Sequence, residues 1–199
     1  MQVAELPIAE IRRRLAAQTQ QDLFNHFPPD MLSGEIREAA VLILLRVIDG
    51  EWHVQYIRRT EVDGDMHSGQ VAFPGGRREP ADETIIGAAL RETNEELGID
   101  PDVIDVVGML REFVTISHYQ VTPVVGVLTE AVDLKPFVLQ ETEVARAFTI
   151  PLGWLAERSH REHRPRELPN GERLEVIYFD VYDGELLWGA TGHFTVELL

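Results

Sequence analysis

The sequence predicts an α/β domain in which a mixed sheet is covered by helices. Apolar β-type runs outnumber helical patterns, and the helical patterns lie scattered among those runs rather than in a block of their own. A chain of 199 residues with 44% hydrophobic and 26% charged residues suits one compact domain, read here as residues 1–199. No internal repeat or low-complexity segment interrupts it.

Taken in order, Pro7 to about Leu23 has Pro in its first turn and an apolar stripe of Ile8, Ile11 and Leu15, so it reads as an amphipathic helix with Arg12, Arg13 and Arg14 on the wet side. Asn25 to Glu35 bears Pro and Gly and reads as a loop, which makes residues 1–34 an N-terminal helix and loop. Ala39 to Val47 is a continuous apolar run, and Asp49-Gly50 separates it from Trp52 to Arg58, the signature of two core strands joined as a hairpin. Glu61 to Ser68 is a polar turn region. Gly69 to Pro74 contains a short strand that delivers the chain to a loop at Gly75-Gly76.

Thr84 to Leu97 has Ile85, Ala88, Ala89 and Thr93 at three- and four-residue steps, with Pro80 and Asp82 to open a helix and Gly98 to close it. Val103 to Val114 and Tyr119 to Thr129 read as two strands, Glu143 to Ile150 as another, and Pro151 to Glu157 as a short helix started by Pro. His160 to Gly171 is charged, Pro-bearing and without apolar period, hence a surface loop, with a mobile lid whose arginines meet phosphate as the second reading. Leu174 to Val181 alternates as a strand, and Asp183-Gly184 is a turn.

With no cysteine the chain has neither disulfides nor a thiol nucleophile nor a zinc-thiolate site. It shows no apolar leader at its start and no apolar run of membrane-spanning length, so a cytoplasmic protein is expected, as a monomer or homodimer. A net charge of −16 argues against a general nucleic-acid surface, because affinity for a polyanion comes from basic residues that neutralise phosphates. A phosphate-bearing small molecule must then be met by local arginines and a metal.

The chemistry concentrates in Arg91-Glu92-Thr93-Asn94-Glu95-Glu96-Leu97-Gly98, where Glu92, Glu95 and Glu96 share one side of the predicted helix. Carboxylates at such spacing repel by roughly 0.2–0.5 kcal/mol per pair, and a hard divalent cation reverses the sign. Mg²⁺ binds through one or two carboxylates plus substrate phosphates, so Glu92 and Glu96, one turn apart, suit it. Arg91 stands four residues before Glu95 and can hold that carboxylate. A charge cluster alone is more often a solvated face.

Context decides otherwise, because the stretch from Gly75 to Ile99 resembles the Nudix box. Glu83, Arg91, Glu92, Glu95, Glu96, Gly98 and Ile99 are in register with it. Gly76 lies one residue further from Glu83 than in the common form, and Thr93 stands where an aliphatic residue is usual. The resemblance implies the Nudix fold, an α/β/α sandwich with a mixed sheet, and a C-terminal helix from about Leu187. It further implies a hydrolase using Mg²⁺ or Mn²⁺ on Glu92, Glu96 and Glu95, with Arg91 assisting and Glu95 or Glu143 as base. Gly75 and Gly76 would let backbone N–H groups approach a phosphate oxygen.

Gly69 followed by Phe73-Pro74-Gly75-Gly76 is similar to the signature of the coenzyme A pyrophosphatase branch, as are Arg37 to Leu42, Val121 to Gly126, Phe148 to Leu152 and Trp188 to Thr191. That implies hydrolysis of coenzyme A to 4′-phosphopantetheine and 3′,5′-ADP. ADP-ribose or another nucleoside diphosphate derivative is the alternative substrate, and a nucleotide-sensing module the alternative class. The branch carries an arginine four residues before Gly69, where this chain has Asp65, while Arg58 and Arg59 stand near its first arginine, one position out of register. Asp65 in that place implies weaker recognition of the 3′-phosphate, with Arg58 or Arg59 as the substrate-binding arginines that would compensate. Phe73, Tyr119 and Trp188 are candidates to stack on adenine, with core packing the competing role, and His67 and His118 read as loop histidines.

Overall fold

Strand β1 (Arg37–Ile48) is the axis around which the sheet is assembled. Its side chains alternate between two cores, Ile43 and Leu45 entering one and Leu42 and Leu44 the other, which is why the sequence there is apolar without alternation. The computed structural model describes residues 6–17, 35–64, 67–115, 117–128, 137–167, 171 and 173–199. The remainder of the predicted N-terminal helix, most of the loop to Glu35, and Asp65 lie outside them.

β2 (Glu51–Arg59) returns antiparallel to β1 through Asp49 and Gly50, both at positive φ (51° and 81°), as a two-residue hairpin turn requires. On the other edge β7 (Tyr119–Leu128) runs parallel to β1, from Arg37 opposite Tyr119 to Leu45 opposite Val127. β3 (Val71–Ala72) and β8 (Val144–Pro151) pair with β2, while β5 (Ile104–Met109) and β6 (Phe113–Val114) pair with β7. One parallel pairing among antiparallel ones makes the sheet mixed, as expected.

Helix α2 (Ile85–Leu97) covers one face through Ala88, Ala89 and Leu97. The other face carries α1 (Ile8–Ala17), α3 (Leu152–Ala156), α4 (Gly189–Leu198) and a separate ribbon of β9 (Arg161–Glu167) and β10 (Arg173–Phe179). None of the described helices is long and apolar enough to cross a membrane. The α4 helix expected from family likeness is present; with Gly192, Phe194 and Thr195 buried and Val196 and Leu198 packed on the core, it offers no simple polar stripe to read.

Three expectations are corrected. The stretch from Val103 to Val114 is not one strand: Pro101–Val103 forms a 3₁₀ turn capped by Asp100, and the chain leaves the ladder between β5 and β6. The charged segment expected as a loop from His160 to Gly171 is a strand over Arg161–Glu167, where β9 pairs residue by residue with β10 from Phe179 opposite Arg161 to Arg173 opposite Glu167; residues 168–170 lie outside the described residues. Its exposed side chains hide the pairing, since the ribbon takes its apolar side from Val176, Ile177 and Phe179 of β10. Gly75-Gly76 is likewise a strand, β4 (Gly75–Arg77), antiparallel to Ala39, Ala40 and Val41 of β1.

The β4 pairing explains Gly75. A Cβ there would stand 2.3 Å from the Ala40 carbonyl oxygen and 2.6 Å from Val41 Cα, and both are backbone atoms that cannot step aside. Gly75→Ala is therefore expected to destabilise the fold by about 1–3 kcal/mol or more, read as a lower urea midpoint with little change in slope. An unchanged midpoint would mean that β4 does not press on β1 in this way.

Candidate active site

Helix α2 carries the acidic cluster, and its ends are set locally. Thr84 Oγ1 accepts from the Gly87 N–H at 2.9 Å, and Gly98, at φ 67°, closes the last turn by donating to the Asn94 carbonyl at 2.8 Å. Pro80 and Asp82 precede the helix without capping it. Thr93, the departure from the family pattern, is fully buried and donates its hydroxyl to the Ala89 carbonyl one turn back at 2.7 Å, so no polar group is stranded. Between Gly76 and Glu83, where the spacing is one residue longer than in the common form, the chain is irregular from Arg78 onward, up to the start of α2.

Glu96 is 1% exposed, and Glu92 is largely buried beside it. The β4 backbone receives both. The Gly75 N–H donates to Glu96 Oε2 at 2.9 Å, and a Cβ on Gly76 would lie 2.5 to 2.7 Å from the Glu92 carboxylate atoms. Burial pushes the Glu96 carboxyl up to about 8, with Glu92 and Glu143 adding to the rise and the Gly75 N–H and Arg59 opposing it. Glu92 is raised as well, first by burial, with Glu95 and Glu143 contributing and Arg91 opposing. Glu143, one residue before β8, thus lies within electrostatic reach of the pair.

Arg91 is the cation of this site. It meets Glu95 at 3.0 Å, as the spacing predicted, and also Glu92 at 3.0 Å and the Arg77 carbonyl at 3.1 Å. Asp82 grips it from the far side through two bonds, at 2.9 and 3.1 Å. That bidentate pair lowers the Asp82 pKa and raises that of Arg91. The role of Asp82 was missed from the sequence, where nothing marks a residue nine positions before an arginine as its partner. Glu95 is half exposed and faces Arg91.

Among the described residues no three acidic or imidazole groups converge into a ready-made metal cage. The donor set fits a hard divalent cation in another way. Two neighbouring carboxylates are desolvated together, their pKa values raised by burial and by the carboxylates around them, and Glu92 is fitted against a glycine whose Cβ would fill the space. A cation relieves that strain while leaving coordination positions for phosphate and water.

β4 also walls a cavity of about 790 Å³. Gly75, Gly76, Arg77 and Arg59 line it on one side; Phe113, Tyr119, Trp188, Ile177, His163 and Arg166 line it elsewhere. Phe73 lines it too, yet is 3% exposed and packs on Tyr56 at 4.9 Å, so the core claims most of its surface. Arg59 faces the cavity and the charge of Glu96, whereas Arg58 turns to Glu61 at 3.1 Å and Glu185 at 4.0 Å. His67 lines the cavity; His118 does not.

The NUDIX domain model matches residues 36–170, about two-thirds of the chain. The chain belongs to the Nudix hydrolase family. A relative described as an uncharacterized Nudix hydrolase NudL, from Pectobacterium atrosepticum, is 34% identical over 155 residues, covering 78% of this chain and 77% of its own. One of the same description from Cronobacter sakazakii is 33% identical over 175 residues, 88% of each chain. The crystal structure of a MutT/nudix family protein from Enterococcus faecalis superposes with a TM-score of 0.52 over 97% of this chain and 73% of that one, at 16% identity, and shares the fold. β4 and α2, which hold Glu92 and Glu96 together, lie within the matched residues.

The pKa of Glu96 yields a test with a definite sign. A folded-state pKa of about 8, above the ordinary 4.5, means that the folded chain holds a proton the unfolded chain has lost, so metal-free stability falls as pH rises from about 4.5 to 8. Glu96→Gln keeps an acceptor for Gly75 and removes the charge. Without metal it is expected to raise Tm at pH 8, by about 2–4 °C per kcal/mol recovered, and to change it little at pH 5. Equal shifts at both pH values would refute the buried, proton-holding carboxylate.

Proposed function

We propose that this Nudix hydrolase cleaves the pyrophosphate linkage of coenzyme A or its acyl derivatives, releasing 3′,5′-ADP and 4′-phosphopantetheine or its acyl form. The observation that carries the reading is the seating of Glu92 and Glu96 against Gly75 and Gly76: the two glycines line the cavity and the carboxylates, which do not, lie directly behind them, so β4 is where a pyrophosphate would approach the pair. The likeness of Gly69 to Gly76 to the coenzyme A branch supports the substrate, as does a cavity whose wall is largely apolar between its arginines.

Glu92 and Glu96 would hold Mg²⁺ or Mn²⁺, with Glu95 as a third contact. When bound, such a cation offsets phosphate charge and makes water a better nucleophile. The chain's own groups do the rest. Gly75 and Gly76 admit the diphosphate to the backbone, Arg59 and Arg77 on the cavity wall neutralise its oxygens, and Arg91, clamped by Asp82, keeps Glu92 and Glu95 in place. Glu95 or Glu143 takes the proton from the attacking water, the latter being close enough to Glu92 and Glu96 to raise their pKa values. Water attacks phosphorus directly, with no covalent enzyme intermediate.

A hydrolysis screen over nucleotide derivatives tests the reading. Coenzyme A is expected to show a higher kcat/KM than ADP-ribose, chelation to abolish turnover, and Glu96→Gln to lower kcat about 100-fold or more, near 2.7 kcal/mol of barrier. Faster cleavage of ADP-ribose would transfer the enzyme to that substrate. Ligands that shift Tm yet survive long incubation with Mg²⁺ would make the chain a sensor.

A further inference from the structure

We propose that the β9–β10 ribbon and the residue before α4 form the subsite for the adenosine end of the substrate, Arg166 holding its 3′-phosphate from its seat over Trp188. The proposal rests on the coenzyme A reading above and replaces Arg58 as the expected phosphate contact.

Four side chains from the ribbon and the residue before α4 form one layered stack. Arg164 lies over the Tyr178 ring at 4.6 Å, Tyr178 stacks on Trp188 at 5.4 Å with planes 9° apart, and Arg166 lies over Trp188 at 5.7 Å. A guanidinium resting its face on a ring keeps its in-plane N–H groups for a phosphate, which it grips through two parallel bonds. The two arginines differ in how far those groups are used. Arg164 is taken by Glu162 at 2.7 Å, whereas among the described residues no carboxylate pairs with Arg166. Arg166 and Trp188 both line the cavity that begins at Gly75 and Gly76, and Arg164 does not.

Charge points the same way. Five arginines against three glutamates fall between Arg158 and Arg173, a local excess of positive charge in a chain whose net charge is −16. The other arginines near the cavity have other places: Arg58 turns to Glu61 and Glu185, and Arg59 and Arg77 stand at the β4 end, where the diphosphate would lie. Glu175 on the same wall supplies an acceptor suited to the adenine amino group.

The test is calorimetric binding of 3′,5′-ADP against AMP, which differ by the 3′-phosphate, combined with kcat/KM for coenzyme A against dephospho-coenzyme A. Wild type is expected to favour the 3′-phosphorylated member by roughly 10- to 100-fold in both comparisons. Arg166→Met keeps the aliphatic stem over Trp188 and loses the charge; it should reduce the preference to less than about threefold at unchanged Tm. Arg173→Ala, the same charge change on the same ribbon but off the cavity wall, should retain the preference. Trp188→Leu, which removes the ring that seats the Arg166 guanidinium, should lower the 3′-phosphate preference as well. An intact preference in Arg166→Met, or equal loss in Arg173→Ala, overturns the proposal while the coenzyme A reading stands. A wild type that leaves coenzyme A uncleaved overturns that reading itself, and the nucleotide binding comparison then judges the subsite alone.

Discussion

Everything at the candidate site depends on how closely β4 approaches its neighbours. On one side Gly75 lies against the backbone of β1 at a distance no side chain permits; on the other, Gly76 receives the Glu92 carboxylate in the space of a missing Cβ. The strand therefore locks a helix-borne acidic pair to the central strand of the sheet. Rigid elements hold charged groups more precisely than loops do, and a pair held this tightly cannot separate to relieve its repulsion. Burial in that seat, with the charge of Glu92 adding to it, raises the pKa of Glu96, and that is the property a divalent cation would use.

The helix was legible because its signals are local. Apolar steps of three and four, a closing glycine and acidic residues in a fixed register lie within a few residues of one another, and the structure realises them over Ile85–Leu97. The hairpin at Asp49-Gly50 and the double-sided core run of β1 were legible for the same reason. Strand β9 was not, because its partner is β10 and its side chains face water, so its backbone pairing leaves no apolar trace in REHRPRE. Asp82 was misread as a helix opener because its partner comes from the helix's second half, and the wall formed by Arg166, Ile177, Trp188 and His193 unites residues remote in sequence from the box.

A ribbon such as β9–β10 would be a poor element to predict on any local rule, yet it is stable here for reasons that bear on function. It rests on the sheet and α4 through Val176, Ile177 and Phe179, and its arginines lie over aromatic rings rather than over the sheet. Its outward side is charged and includes Pro165, which discourages pairing with another strand. The charge that protects the edge is also what makes the ribbon cationic beside the cavity.

Arg91 raises a final question of charge balance, since a cation already among the carboxylates should weaken the case for a second. The geometry answers it. Two of the bonds of Arg91 go to Asp82 and one to the Arg77 carbonyl, so most of its hydrogen-bonding capacity is spent away from the cluster. Asp82, with its pKa lowered by that pair, stays ionised and cancels the guanidinium charge almost in place. Arg91 then acts as a brace that fixes Glu92 and Glu95 by single bonds, while Glu96, which it does not touch, keeps its uncompensated burial. The carboxylate that Arg91 leaves alone is the one whose pKa rises to about 8, so the local demand for positive charge is centred on Glu96 and its neighbour Glu92.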